Sequence, residues 1–191
     1  MDFQLTERLI KRMKNGDDKA FSELYELLFQ KVYFYIHKIM GNSEDAADVT
    51  QDTFIAVHEN IESFGEPIAF SKWLYRIAHN KSIDCLRRHN RTINLTDNLD
   101  DYSGVIAEDK QEFLPESCLE SKERRLMVTT LIDQLPELQR ASIVLYYYHN
   151  FSTEQIAEIT GSKVGTVRKR LHDARHNLKE MIQLTSKGAG L

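Results

Sequence analysis

The stretch FSKWLYRIAHNKSIDCLRRHNR, residues 70–91, decides the fold because it combines helical periodicity with dense positive charge. Ser71 can N-cap a helix, and neither Gly nor Pro interrupts the chain for about five turns after it. A rotation of about 100° per residue divides the stretch into two faces. The apolar face carries Leu74, Ile77, Ala78 and Cys85. The polar face carries Trp73, Arg76, Asn80, Asp84, Arg87 and Arg91.

The polar face of this predicted helix has the side chains that bind nucleic acid. Arginines neutralise phosphates, an exposed indole stacks on an unpaired base, and an asparagine hydrogen-bonds a base edge. Lys72, Lys81 and Arg88 add positive charge. The alternative is a solvated basic helix whose Trp73 fills a core, and the stretch taken alone favours neither interpretation.

The composition is that of an ordinary globular protein of one or two small domains, with 191 residues, 41% hydrophobic and 28% charged. The chain has no run of about 18 apolar residues, and its amphipathic N-terminus lacks the apolar core of a signal peptide. We therefore expect a cytoplasmic protein without direct membrane insertion. Cys85 and Cys118 fit no metal-ligand spacing, and we interpret both as reduced thiols. No metal site and no cofactor are predicted.

Charge is distributed unevenly along the chain, although the net charge is only −4. Residues 72–91 contain six Lys or Arg against one acid, residues 163–179 again six against one, and residues 97–123 nine acids against two bases. Together with the helical periodicity along the chain, this pattern predicts an all-α protein of two small helical domains joined by an acidic flexible linker. The predicted boundaries are 1–92 for the first domain, 93–116 for the linker, 117–185 for the second domain and 186–191 for a C-terminal tail.

Glycines and capping residues predict where the other helices begin and end. The sequence predicts a short opening helix, a helix at 18–40, a helix at 43–60, helices that resume near Ser117, and a helix at 137–149. Six aromatic residues of the helix at 18–40 are predicted to be core: Phe21, Tyr25, Phe29, Tyr33, Phe34 and Tyr35.

The helix predicted at 43–60 mixes acids with an exposed apolar residue. A helical wheel places seven residues on one outward face, with Phe54 at its border: Glu44, Asp45, Asp48, Gln51, Asp52, Ile55 and Glu59. A purely solvating face has no use for Ile55, so the pattern favours a protein-binding patch over a solubilising face. Asp48, Asp52 and nearby Glu44 also permit an enzyme that holds a divalent metal, but no Glu-x-x-His pair on a neighbouring helix completes such a site.

The C-terminal part of the chain predicts a helix-turn-helix. Ser152 and Gln155 form a capping box, and Phe151 and Ile156 form a hydrophobic staple, so a helix begins there and ends at Gly161. A basic helix follows from about residue 163. Its predicted inward residues are Val164, Val167, Leu171, Ala174 and Leu178. Its predicted outward and flanking residues are Thr166, Arg168, Lys169, Arg170, His172, Asp173, Arg175 and His176. Two packed helices that bind no DNA are the alternative.

Five segments resemble, in order and spacing, the extracytoplasmic-function (ECF) group of the sigma-70 family of bacterial RNA polymerase sigma factors. They are GDDKAFSELY at 16–25, GNSEDAADVTQDTF at 41–54, FSKWLYRIAHNKSIDCLRR at 70–88, LPELQRASIVLYYY at 135–148 and STEQIAEITGSKVGTVRKRLHDAR at 152–175. The resemblance implies sigma region 2 in the first domain and sigma region 4 in the second. It implies a protein that binds core RNA polymerase, directs it to −35 and −10 promoter elements and assists DNA opening, without covalent chemistry of its own.

The resemblance also implies roles for individual residues. Docking on the β′ clamp helices of the polymerase is expected of Asp48, Gln51, Asp52, Phe54 and Ile55. Opening and holding the −10 element is expected of Phe64, Trp73, Arg76, Asn80, Arg87 and Arg88. Binding the −35 element is expected of Thr166, Arg168, Lys169, Arg170, His172 and Arg175.

Further partners are implied in the same way. The β flap of the polymerase and promoter DNA are expected to bind the protein, and an anti-sigma factor is expected to bury these surfaces in an inactive state. The negative charge of the linker suits a basic channel meant for RNA, with a flexible tether as the alternative role.

Two features keep other interpretations open. Asp173 stands where related proteins often carry a basic residue, and an acid near phosphate weakens binding unless it accepts from a cytosine amino group or pairs with Arg170 or Arg175. A stand-alone helix-turn-helix regulator is the alternative function. Such a protein binds duplex DNA by itself, typically as a dimer, and does not need an acidic docking face.

Overall fold

Glycines separate the first helices of the chain. The computed structural model describes residues 3–65, 70–89 and 122–188, and within these ranges every regular element is a helix, as predicted. The first four helices are α1 (Phe3–Lys14), α2 (Asp18–Met40), α3 (Ser43–Asn60) and α4 (Phe70–His89). Gly16 and Gly41 have φ of 80° and 72°, a left-handed conformation that favours glycine and ends the preceding helix.

Side-chain caps begin α2 and α3 where the sequence predicted them. The Asp17 carboxylate accepts the backbone N–H of Lys19, and the Asn42 side chain accepts the backbone N–H of Glu44 at 2.8 Å. Asp17 also accepts a 2.8 Å hydrogen bond from the Arg12 guanidinium of α1, which lowers the pKa of this carboxyl group. One carboxylate therefore both caps α2 and binds α1.

Contacts divide the chain into two compact units, the first of which contains α1 to α4. Helix α2 lies against α1, α3 and α4. It carries a buried apolar row at helical spacing: Leu24, Leu28, Val32, Ile36 and Ile39. Burying each such side chain contributes about 1.5–3 kcal/mol. Because α2 carries this row and contacts the three other helices, it is the centre of this unit.

Helix α4 differs in two details from its prediction. The described helix runs from Phe70 to His89, so Ser71 lies inside the helix rather than at its cap, and Arg91 lies outside the described residues. Its inner face is also more polar than the wheel indicated, because it includes Tyr75, His79 and Ser82 in addition to the apolar residues.

These polar residues are tolerated inside because they are hydrogen-bonded. The Tyr35 hydroxyl lies 3.0 Å from Nδ1 of His79, and both side chains are buried between α2 and α4. Ser82 donates to the Ala78 carbonyl within its own helix at 2.8 Å. Burial raises the pKa of both Tyr35 and Tyr75, so each hydroxyl keeps its proton.

The prediction that all six aromatic residues of α2 are core was wrong for five of them. Only Tyr35 is fully buried, whereas the others are half-buried: Phe21, Tyr25, Phe29, Tyr33 and Phe34. Four of these rings follow one another at i, i+4 spacing, with centroids 5.0 to 6.4 Å apart. They line the edge of α2 rather than its core-facing side.

The second unit contains α5 (Lys122–Asp133), α6 (Glu137–Ile143), α8 (Val164–Gly188) and most of α7 (Thr153–Thr160). The single helix predicted at 137–149 is interrupted, because Val144–Tyr148 forms a wider π-helical turn. The His149 N–H donates there to the Val144 carbonyl five residues back. Neither Gly nor Pro marks this change in the sequence, so the prediction missed it.

Parts of the predicted organisation lie outside the described residues. These are the acidic linker at 93–116, Cys118 and residues 189–191. In the ranges that the structure does describe, no helix is long and apolar enough to span a membrane.

Candidate functional site

The outward face of α3 consists of Asp48, Gln51, Asp52 and Ile55, which we call the docking face. All four side chains are exposed, and Ile55 is 53% exposed, unusual for a large apolar residue. The opposite side of α3 is buried, and Thr50 and Thr53 donate there to carbonyls of their own helix at 2.6 and 2.7 Å. An apolar side chain ringed by acids and an amide suits a protein partner with a basic surface.

Phe54 was predicted to contact the polymerase, but it does not belong to the docking face. Its side chain is only 1% exposed, and its ring meets the Tyr25 ring edge-on at 4.8 Å. The border position on the helical wheel was ambiguous, and packing against α2 turned the ring inward because burial of an aromatic ring is strongly favourable. Phe54 therefore supports the docking face from beneath.

Cys85 of α4 lies beside the acidic residues of α3. Burial, and next the charge of Asp45, raise the pKa of its thiol, with smaller contributions from Asp48 and Asp52. Partial burial, together with the nearby carboxylates, keeps this thiol protonated, and a protonated thiol is a poor nucleophile.

An aromatic platform precedes and opens α4. It consists of Phe64, Phe70 and Trp73. The rings of Phe64 and Trp73 are stacked, with centroids 4.6 Å apart and an interplanar angle of 22°, while Phe70 is buried beside both. Trp73 is half-buried, so it packs against protein and still presents accessible indole surface. The half-buried indole of Trp73 therefore neither fills a core completely nor stands free of the protein.

The platform is connected to α1 by Lys14. Its ammonium donates to the Phe64 carbonyl and lies 5.9 Å from the centroid of the Phe64 ring. These contacts hold Phe64 against a helix that lies about fifty residues earlier in the chain. No local pattern in the sequence indicates this role of Lys14, because Lys14 and Phe64 are distant in the chain.

Beyond the platform, α4 presents Arg76, Asn80, Arg87 and Arg88 to solvent. Arg87 lies 3.5 Å from the Asp84 carboxylate, and the Arg88 Nε donates to the Asp84 carbonyl at 3.3 Å. The structure thus brings the predicted −10 residues of α4 together on the outer side of this helix. Phe64 precedes the helix and contacts this group through the stacking of its ring on Trp73. Stacking rings followed by cations are the features of a single-strand binding surface.

The helix-turn-helix of α7 and α8 forms as predicted. The Ser152 N–H donates to Gln155 Oε1 at 2.9 Å, and the Gln155 N–H donates to Ser152 Oγ at 3.3 Å, which completes the capping box. Gly161, with φ of 63°, ends α7. The inward side of α8 is buried as predicted at Val167, Leu171, Ala174 and Leu178, while Val164 is half-buried.

The predicted −35 residues of α8 divide into two groups. Lys169 and His172 are exposed on the side farthest from the buried row. Four others lie on the two flanks of α8 and are half-buried: Thr166, Arg168, Arg170 and Arg175.

Two of the flanking arginines contact the rest of the helix-turn-helix. Arg168 Nη2 lies 3.4 Å from Glu154 Oε1 of α7, and Arg170 Nη1 donates to Ser162 Oγ in the turn at 2.9 Å. Asp173 lies 3.2 Å from Nδ1 of His172. Neither Glu154 nor Ser162 was predicted from the sequence as a site residue, because each acts through a residue on the following helix.

The metal-dependent alternative gains no support from the described part of the chain. No group of three His, Cys, Asp or Glu side chains there is placed to hold a metal ion, and this includes the surroundings of Asp48 and Asp52.

Comparison with known proteins defines the class. Residues 24–92 match the model for Sigma-70 region 2, and residues 125–178 match the model for Sigma-70 region 4. The first match contains the docking face, the aromatic platform and α4, and the second contains α6, α7 and most of the outer side of α8. A stand-alone helix-turn-helix regulator is therefore not the class that fits, because region 2 is present.

Individual relatives are similar over nearly the whole chain. The chain is 34% identical to the ECF RNA polymerase sigma factor SigW of Bacillus subtilis over 189 residues, which covers 96% of this chain and 99% of SigW. It is also 34% identical to the ECF RNA polymerase sigma-E factor of Haemophilus influenzae over 191 residues, covering 94% and 97% of the two chains. The chain belongs to the ECF RNA polymerase sigma factors, which are transcription initiation factors.

Solved structures share the fold. CnrH, in complex with the cytosolic domain of CnrY, matches with a TM-score of 0.64 at 23% identity and covers 94% of this chain and 98% of its own. RpoE of Bartonella quintana, in complex with the anti-sigma factor NepR, matches with a TM-score of 0.62 at 22% identity, covering 86% and 98%.

Proposed function

We propose that the docking face binds the β′ clamp helices of core RNA polymerase, that the aromatic platform and α4 open and hold the −10 element, and that α8 binds the −35 element. The proposed domains are residues 1–92 for −10 recognition and docking and 117–185 for −35 recognition, with 93–116 as the linker. The observation that carries the proposal is the presence, on adjacent helices of one compact unit, of a protein-docking face and a stacking surface.

The chemistry of the docking face supports its assignment. Ile55 supplies apolar area that a partner can bury, while Asp48 and Asp52 supply charge that attracts a basic helix and fixes its orientation. Gln51 can accept and donate hydrogen bonds at the rim. Buried Phe54 and Val57 keep α3 rigid beneath these residues. Preorganisation of this kind lowers the entropy lost on binding.

The aromatic platform supports melting of the −10 element. Bases that leave the duplex lose their stacking partners, and an indole already stacked on Phe64 offers a new one. Asn80 lies two turns farther along α4, within reach of a base edge, and the guanidinium groups of Arg76, Arg87 and Arg88 can hold the phosphates of a single strand. Capture of the open strand then shifts the equilibrium toward melted DNA.

The outer side of α8 supports duplex recognition. A helix of this kind enters the major groove, where Lys169, His172 and flanking Arg168 meet base edges. Thr166, Arg170 and Arg175 lie at the sides of the helix, where the phosphates of the groove walls would be. The contact between Arg170 and Ser162 indicates that Arg170 also stabilises the turn.

An anti-sigma factor is a further proposed partner. The structures of CnrH and RpoE that share this fold were solved in complex with CnrY and with the anti-sigma factor NepR. We expect a partner of this kind to cover the docking face, because Ile55 offers the same apolar area to any helix. We also propose that the protein acts in the cytoplasm, where RNA polymerase acts, and performs no covalent chemistry.

Transcription from a library of genomic fragments tests this function. Purified core RNA polymerase is assayed with and without the protein, and the RNA start sites are mapped. New discrete starts with shared −35 and −10 elements are the expected result. Absence of new starts, combined with binding of duplex DNA by the protein alone, would contradict the proposal and favour a regulator that acts without polymerase.

A further inference from the structure

Glu154 is the side chain of α7 that reaches the recognition helix. It lies in the first turn of α7, and its Oε1 lies 3.4 Å from Nη2 of Arg168 on α8. Both groups are partly exposed, on the side of the helix-turn-helix that the proposed function assigns to DNA. A carboxylate at this position repels phosphates, so general DNA affinity does not account for it.

The Glu154 carboxylate also accepts a hydrogen bond within the capping segment of α7. The Thr153 hydroxyl donates to the same Oε1 at 3.0 Å, and Thr153 itself is only 6% exposed. The backbone N–H of Glu154 and then the hydroxyls of Ser152 and Thr153 lower the pKa of Glu154, with Arg168 contributing last. The carboxylate is therefore charged at neutral pH and oriented before DNA arrives.

A fixed carboxylate changes what Arg168 can do. An arginine reads guanine through two parallel hydrogen bonds to O6 and N7, which requires one particular orientation of the guanidinium plane. A free arginine has many rotamers, and ordering them on binding costs free energy. An acceptor on the neighbouring helix reduces that cost for the orientation it favours. The same acceptor weakens any orientation in which Arg168 turns away to a phosphate.

We propose that Glu154 is a specificity-determining residue that positions Arg168 for base recognition and lowers affinity for unrelated DNA. The proposal rests on the assigned role of Arg168 in the −35 element. Asp173 is not equivalent, because its contact is with His172, the next residue of the same helix, and such a neighbour cannot orient a side chain across the helix-turn-helix.

Holoenzyme binding to a set of promoters tests the proposal, with each −35 base pair changed in turn. Arg168→Ala first identifies the position that Arg168 reads, where it should lose a preference of about 5-fold to 150-fold. Glu154→Ala should reduce the preference at that same position several-fold, leave the other −35 positions unchanged and strengthen binding to unrelated DNA. Glu154→Gln, which keeps the shape without the charge, should retain part of the preference.

Two controls separate orientation from stability and from charge. Glu137→Gln removes an exposed carboxylate from the first turn of α6 in the same unit, and it should change no −35 preference. The double variant Glu154→Ala with Arg168→Ala should show the same preference as Arg168→Ala alone, because Glu154 acts through Arg168. If Glu154→Ala instead disturbs folding, binding should weaken equally at every −35 position. The result with Glu154→Gln would then decide whether Glu154 positions Arg168.

The outcomes distinguish the two assignments. If Arg168→Ala loses preference at one position and both Glu154 variants keep it, the role of Glu154 is overturned while the −35 assignment stands. If Arg168→Ala changes no position, the −35 assignment of Arg168 fails and the role of Glu154 fails with it. Equal weakening at all positions by Glu154→Gln would also overturn the proposal.

Discussion

The outer surfaces of α4 and α8 are both basic, but their side chains are held in different ways. At α4, aromatic packing fixes Trp73 against Phe64, while Arg76 and Asn80 extend from the helix into solvent. At α8, polar contacts with the preceding helix and turn hold Arg168 and Arg170.

This difference matches the proposed substrates of the two surfaces. A melted strand is flexible, so a surface that captures it needs a rigid stacking ring and cations that can follow the backbone. A duplex presents its base edges at fixed positions, so a surface that reads it gains from arginines oriented in advance. Under the proposed function, residues of equal charge serve different purposes because their neighbours differ.

Replacement of the stacking ring should produce the largest effect. We expect Trp73→Ala to reduce open-complex formation at least tenfold, because one stacked base contributes about 1–3 kcal/mol and the platform itself is weakened. Open-complex yield on a duplex promoter, compared with the same promoter already unpaired at −10, measures this. Trp73→Phe should retain most of the yield, and −35 preference should not change. Normal opening by Trp73→Ala would remove the platform from the mechanism.

Removal of the buried hydrogen bond between α2 and α4 should affect stability next. We expect Tyr35→Phe to lower the free energy of unfolding of the first unit by about 1–3 kcal/mol, because His79 loses a partner inside the protein. Trp73 is the only tryptophan in the sequence, so its fluorescence during urea unfolding reports this unit.

A matched variant on the same helix controls for loss of a hydroxyl. Tyr33→Phe changes a half-buried tyrosine, and we expect it to alter the free energy of unfolding by less than about 0.5 kcal/mol. If the two variants unfold alike, the Tyr35 contact does not determine how α4 is held.

The docking face should show a moderate effect. The double variant Asp48→Ala with Gln51→Ala should weaken binding to core polymerase about tenfold, equivalent to about 1.4 kcal/mol, because it removes a charge and an amide from the interface. Titration of labelled protein with core enzyme measures the dissociation constant. Glu62→Ala removes an exposed acid just after α3 and should bind as the unchanged protein does. Equal binding by the double variant would place the interface elsewhere.

A single phosphate contact on α8 should give the smallest effect. Arg175→Ala should weaken binding a few-fold at every promoter variant, and the slope of log affinity against log salt should fall by about 0.9 if Arg175 contacts a phosphate. Arg168→Ala should instead alter preference at one base pair. A change in base preference with Arg175→Ala would assign Arg175 to a base edge and make the roles of the α8 side chains more uniform than we propose.

Local signals in the sequence predicted most of the architecture. Gly16, Gly41 and Gly161 end helices at the expected places, and Asn42 and Ser152 cap the helices that follow. These signals act within about four residues, so they can be read without knowledge of the fold. The π-helical turn at 144–148 was missed because it has no such signal.

The sequence by itself determined the helices, the two basic segments and the exposed position of Ile55, since helix caps, charge and periodicity are properties of short stretches. Only the tertiary structure decided that Phe54 is buried, that His79 meets Tyr35, and that Glu154 reaches Arg168. Each of these depends on a neighbour contributed by another helix. A helical wheel gives the direction of a side chain from its own axis, but packing between helices determines what the side chain contacts there.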